Sequence, residues 1–213
     1  MRIRRALVLS FTAGLAACAT PATAPIGERP PAPSPRDLDE ITAVLKRDFH
    51  ERGQAKMDRI QLDEVQRACN LNADHPPADA ARALEQAELK KIPFPAGSLI
   101  GDWKKGEKLA QSGRGAMWSD KPGVQQGASC YNCHQISPKE TAFGTIGPSL
   151  AGFGKTRGNG AEMQRYVYGK IYDAKAYNLC SQMPRLGSSG SLNDEQIRDL
   201  VGLLLDPASP VNQ

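Results

Sequence analysis

Cys130-Tyr131-Asn132-Cys133-His134 is the stretch on which the reading of this chain turns. Two thiols three residues apart fit one helical turn, and a histidine follows directly, which is the spacing of a c-type haem attachment site. The chemistry sets that spacing. Two sulfurs reach the two vinyl groups on one porphyrin edge, and the adjacent imidazole is carried beneath the iron as its proximal ligand. Two plainer readings compete. Half of a zinc site needs two further ligands, and only His50, His75 and scattered cysteines are on offer, none in a matching pair. A thioredoxin-like dithiol expects a βαβ setting, for which the surrounding pattern gives no support. One covalent haem c is the expectation.

Outward from the motif, the chain reads as all-α with long loops. Upstream, Leu38, Ile41, Leu45 and Phe49 recur at three- and four-residue steps, as do Met57, Ile60, Val65 and Ala68. Pro76-Pro77 interrupts, and a third helix is predicted over 78–92, closed by Pro93 and Pro95. A further helix is predicted over 101–112, a short one over 161–172, and a last one over 194–206. The last begins at Asn193 as N-cap, with Gln196 three residues on in a capping-box arrangement. Ile197, Leu200, Val201 and Leu204 then form one apolar stripe.

The N-terminus reads as an export signal: a basic start with Arg2, Arg4 and Arg5, then an apolar run from Ala6 to Ala17 too short to span a bilayer comfortably. Leu15-Ala16-Ala17-Cys18 resembles the lipobox of bacterial lipoproteins, whose cysteine is acylated after cleavage; ordinary cleavage just beyond Cys18 is the alternative. Residues 18–36, rich in Pro, Ala and Thr, read as an extended tether. A helical extension over 37–97 and a haem-bearing domain over 98–213 complete the division. Of 27 basic residues against 23 acidic ones, three arginines leave with the signal, so the exported chain is close to neutral. That excludes a charge-based argument for nucleic acid or for a membrane surface. Membrane attachment then rests on a lipid at Cys18.

Five cysteines are present. Haem takes Cys130 and Cys133, and Cys18 is acylated or removed, which leaves Cys69 and Cys180. In an exported protein such a pair implies a disulfide, here joining the helical extension to the loop of Met183. A reactive thiol at Cys180 is the competing idea.

Gly144-Thr145-Ile146-Gly147-Pro148-Ser149-Leu150-Ala151-Gly152 resembles the Gly-Pro-x-Leu-x-Gly segment that follows the attachment site in class I cytochromes c. The resemblance implies that fold, with an N-terminal helical extension added. It also implies that the Pro148 carbonyl accepts the second N–H of the proximal histidine, and that Gly147 and Gly152 let the backbone pass close to the porphyrin. The sixth iron ligand has several candidates. Met183, followed by Pro184 in a loop before the last helix, has the usual address of the axial methionine in that fold. Met163, Cys180, His50 and His75 are the rivals. With His134 and Met183 both on the iron, no position is open for substrate, and electron transfer is the implied work.

Three further stretches sharpen the resemblance: Ile100-Gly101-Asp102-Trp103 through Gly115, Cys180-Ser181-Gln182-Met183-Pro184-Arg185-Leu186-Gly187, and Leu203-Leu204-Leu205-Asp206-Pro207 through Pro210. Together they look like SoxX, the monohaem subunit of the SoxAX cytochrome of bacterial thiosulfate oxidation, over roughly residues 60–213. The resemblance implies a periplasmic heterodimer with a SoxA-type cytochrome subunit, acting as an L-cysteine S-thiosulfotransferase. The partner's haem joins thiosulfate to a cysteine of the SoxYZ carrier, and this chain relays the electrons to an acceptor cytochrome c. A lipobox departs from what is expected of a freely periplasmic SoxX. The alternative is a freestanding exported monohaem carrier.

Overall fold

Four of the seven α-helices among the described residues start at a side chain that accepts a backbone N–H from the first turn. A computed structural model describes residues 31–121 and 123–213; the export signal, Cys18 and most of the proline-rich stretch lie outside the described residues. Helix α1 (Pro35–Asp48) opens on a capping box between Ser34 and Asp37. It takes in Pro35 and Arg36, which composition alone assigns to the tether. Proline at the first helical position brings the φ a helix needs and has no N–H to leave unpaired.

The apolar recurrence from Met57 to Ala68 proves to be two elements, a 3₁₀ turn (Met57–Ile60) and α2 (Glu64–Leu71). Asp63 separates them, because its carboxylate caps α2 through the Gln66 N–H at 2.8 Å. Then come α3 (Ala78–Lys90), α4 (Trp103–Gln111), α5 (Phe153–Arg157), α6 (Ala161–Tyr172) and α7 (Asp194–Leu205). The Asn193–Gln196 box at the start of α7 forms as its sequence predicts. No strand is present among the described residues, only an isolated bridge between Arg52 and Ala55. The fold is all-α.

Helices α4 and α7 cross at the centre of the main core. A Cβ at Gly106 would stand 2.1 Å from the Asp199 carbonyl oxygen, and one at Gly202 would stand 2.4 Å from that of Gly101, so the two backbones touch where neither carries a side chain. Around the crossing are buried Leu109 and Ala110 of α4, Val167, Tyr168 and Ile171 of α6, and Ile197, Leu200, Val201, Leu203 and Leu205 of α7. The buried Tyr168 hydroxyl donates to Asp194 at 2.9 Å. At the other end of α7, the Asn212 amide donates to the carbonyls of Leu204 (3.1 Å) and Asp206 (2.9 Å), which satisfies acceptors that a helix C-terminus leaves free.

The N-terminal helices have their own small core. Val65 and Cys69 of α2 are buried with Leu179, and Ala81, Leu84 and Cys180 pack around them. A Cys69–Cys180 disulfide runs through it. Tied in this way, Ala32–Gln213 forms one compact unit. On α1 only Leu38 is buried, whereas Ile41, Val44 and Phe49 are exposed, so little of that helix's apolar recurrence reaches a core. No helix among the described residues is long and apolar enough to cross a membrane.

Candidate functional site

The attachment motif forms a 3₁₀ turn (Cys130–Asn132) entered through Ser129, whose φ of 47° is left-handed. The N–H groups of Cys133 and His134 both donate to the Cys130 carbonyl, at 3.1 and 2.9 Å. This turn puts Cys130, Cys133 and His134 on one short coil. A second segment is then zipped onto it. The N–H groups of Gly144, Gly147 and Leu150 donate to the carbonyls of Tyr131, Cys133 and Gln135, each at 2.8 Å. The Ser149 hydroxyl adds a bond to the Gln135 side chain at 2.8 Å.

This pairing brings Pro148 to the histidine. His134 Nδ1 lies 2.7 Å from the Pro148 carbonyl oxygen. A carbonyl only accepts, so Nδ1 carries a hydrogen, and Nε2 is the nitrogen that offers the lone pair in the neutral ring. Gly147 makes the approach possible, since a Cβ there would stand 2.2 Å from His134 Cε1. Gly152 serves differently: its φ of 70° at the entry to α5 is the conformation glycine adopts without strain.

The donor set suits a covalent haem c. Cys130 and Cys133 are not joined to each other, and burial pushes the Cys130 thiol up to about 12, so it is protonated at neutral pH. Beside them stands an imidazole already oriented through its outer nitrogen, as metal-ligating histidines are. The zinc alternative gains nothing. The one cluster of three metal-ligating atoms among the described residues is Cys69, Asp74 and Cys180, and its two sulfurs are bonded to one another.

Met183 arrives from a separate loop and packs, half-buried, against the main core. Met163, on α6, does the same, so burial alone does not choose between them. His50 and His75 are exposed on the N-terminal extension. The disulfide removes Cys180 from the candidate ligands and excludes a reactive thiol there.

The loop that carries Met183 is held from several sides. Its Leu179 N–H donates to Glu85 of α3 at 2.9 Å, and Cys180 is bonded to α2. The largely buried Lys175 ammonium donates to the Leu179 and Ser181 carbonyls, both at 3.2 Å. Desolvation lowers its proton affinity, and the neighbouring Arg185 adds to that. Arg185 pairs with Asp63 and approaches Glu88 at 4.0 Å. Burial alone would raise the Asp63 carboxyl, but the Gln66 N–H and Arg185 outweigh it and hold the group below the usual carboxylate range. Sequence reading missed Glu85, Lys175 and Arg185. Arg185 and Asp63 are 122 residues apart, and no local pattern couples them.

A polar groove of 760 Å³ lies elsewhere, along α4 and the start of α7, lined by Lys105, Lys108, Glu195 and Asp199 among others. Neither the attachment motif nor Met183 borders it, and its mixed charge suits solvent better than a porphyrin.

No protein-family model matches the chain. It is 36% identical over 156 residues to a protein of Aquifex aeolicus (strain VF5) named "Uncharacterized lipoprotein", an alignment that spans 71% of this chain and 73% of that protein.

Proposed function

The chain belongs to the family of that Aquifex aeolicus lipoprotein, and from this premise and the geometry of the attachment loop we propose that it is an exported, lipid-anchored monohaem cytochrome c of the class I fold. Within that class, the SoxX-like stretches make it the electron-transfer subunit of a SoxAX-type cytochrome. One observation carries the reading: His134 Nδ1 held 2.7 Å from the Pro148 carbonyl, on a turn that also presents two unbonded cysteines.

Cys130 and Cys133 would hold the haem through thioethers, and His134 and Met183 would be the side chains that meet its iron. Bound there, the haem would supply a one-electron iron couple, and a thioether donor would favour its ferrous form and raise the potential. Pro148 fixes the imidazole plane and makes His134 Nε2 a better donor. The main core behind Met183 keeps water from the thioether side and lowers the local dielectric. Phe143, and Ile146 at 81% exposure, sit in the segment zipped onto the motif and offer apolar surface where a partner can dock.

In the SoxAX role the chain takes up electrons one at a time as a SoxA-type partner joins thiosulfate to a carrier-protein cysteine. It then hands them to an acceptor cytochrome c. The lipobox at Cys18 and the relative's name both favour acylation, which would tether this work to the periplasmic face of a membrane.

Purification from the native host tests the proposal. One haem per chain, a stoichiometric second cytochrome, and haem reduction that needs both thiosulfate and a carrier protein are the expected results. A lone monohaem protein reduced only by general donors would move the function to a freestanding carrier. Absence of covalent haem would refute both. Met183→Ala should abolish the thioether-to-iron absorption band of the ferric protein, and a surviving band would transfer the axial role to Met163.

A further inference from the structure

Met183 sits between two ties to the same part of the chain. Three residues before it, Cys180 is bonded to Cys69 on α2. Two residues after it, the Arg185 guanidinium pairs with Asp63, the N-cap of α2, and stands 4.0 Å from Glu88 on α3. The Arg185 side chain is only 23% exposed and that of Glu88 8%, whereas Asp63, at 40%, stays open to water on one side. Asp63 is itself fixed, because its other oxygen accepts the Gln66 N–H. Glu88 is held by Lys91 at 2.7 Å. The guanidinium is therefore anchored to the first turn of one helix and the last turn of another. A fork of donors suits such a two-carboxylate seat, and a single ammonium does not.

The geometry points to Arg185 as a positioning residue for the Met183 thioether. The inference rests on the reading of Met183 as the axial ligand. The disulfide, the Lys175 ammonium on the Ser181 carbonyl and the Met183 N–H on the Ser181 hydroxyl (3.2 Å) all hold the loop on its Cys180 side. Arg185 supplies the second pin on the same helices, so Met183 is strung between them. Helices α2 and α3 thereby belong to the haem site, although neither contributes a ligand.

The test uses the full-length holoprotein and the variants Arg185→Gln, Arg185→Lys, Asp63→Asn and the Arg185→Gln/Asp63→Asn pair. Asp63→Asn removes the charge yet leaves α2 capped, since asparagine is an equally good N-cap. Arg198→Gln, which breaks an ion pair with Asp194 within α7, is the control. One readout is the thioether-to-iron band, followed in urea against global unfolding. The other is hydrogen exchange at the Ser181 and Met183 amides, which donate to the Asn178 carbonyl at 3.0 Å and the Ser181 hydroxyl at 3.2 Å; reading it needs no iron ligation.

Arg185→Gln and Asp63→Asn should each speed exchange at those amides about tenfold relative to the core. Each should also lose the band before the protein unfolds. The double variant should be no worse than either single one, as expected of two members of one pair. Arg185→Lys should recover part of the effect, and the control should show none. Band and exchange that change only in step with global stability, or no more than in Arg198→Gln, would overturn the inference. A wild-type protein without the band would sink the axial reading of Met183, and exchange at the Ser181 and Met183 amides would then decide by itself whether Arg185 holds the loop.

Discussion

Replacing both halves of the Cys69–Cys180 disulfide with alanine offers the most quantitative check on how the N-terminal helices are held. The two cysteines are 111 residues apart. On the chain-entropy relation, releasing a loop of that length from the unfolded ensemble amounts to about 16 cal/mol/K, or about 4.8 kcal/mol at 25 °C. Cys130 and Cys133 lie inside this loop three residues apart, so bonding both to one proposed haem would not shorten it. Losing two sulfurs from the small core of Val65, Cys69 and Leu179 adds about 1 kcal/mol of packing. Glu85 and Arg185 still tie the Leu179–Arg185 segment to α2 and α3, which keeps the native state close to its original form.

Urea unfolding of holoprotein, wild type against Cys69→Ala/Cys180→Ala, should therefore show at least about 3 kcal/mol of lost stability. The wild type treated with a thiol-free reductant should follow the variant. A loss below about 1 kcal/mol would refute the loop-closure reasoning. It would mean either that the unfolded chain is already compact around these helices or that the bond strains the native fold by as much as it constrains the unfolded one.

Gly147→Ala should push the His134 ring off its seat, because the new methyl would stand 2.2 Å from Cε1. Loss of the His134–Pro148 bond should appear as a shifted imidazole N–H resonance and a weakened proximal ligand in the loaded protein, and an unchanged spectrum would contradict the close approach. Asn193→Ala removes the cap of α7 and should cost about 1 kcal/mol in denaturant unfolding. The Asp63 carboxyl is depressed in the fold, facing Arg185 and, further off, Lys175. Its contribution is thus fully present above the carboxylate range of the unfolded chain and is lost as pH falls through the lowered folded-state value. Acid titration of stability should lose this increment in wild type but not in Asp63→Asn, and equal acid sensitivity of the two would refute the assignment.

The turn that gathers Cys130, Cys133 and His134 was legible in the sequence because it is local: two thiols and an imidazole within five residues need no distant partner to share one coil. The same holds for the Asn193–Gln196 box, where donor and acceptor lie three residues apart. The pairing of Cys69 with Cys180 was reached by counting, on the expectation that haem and export would account for the other cysteines. Elsewhere periodicity misled. The recurrence across Met57–Ala68 is two elements because Asp63 caps a new helix, and the α1 stripe stays largely exposed because periodicity reports a face without saying what covers it.

Sequence by itself thus determined an all-α chain, a short turn carrying two cysteines and a histidine, and a Cys69–Cys180 pair. The tertiary structure supplied the geometry of the Cys69–Cys180 bond and of the Pro148–His134 contact, and it alone showed that Glu85, Lys175 and Arg185 hold the Met183 loop. The physical reason is distance along the chain. A cap or an attachment turn is closed within a few residues, whereas these contacts join segments 14 to 122 residues apart, or depend on which carbonyls happen to face a buried charge, and only the packed fold brings them together.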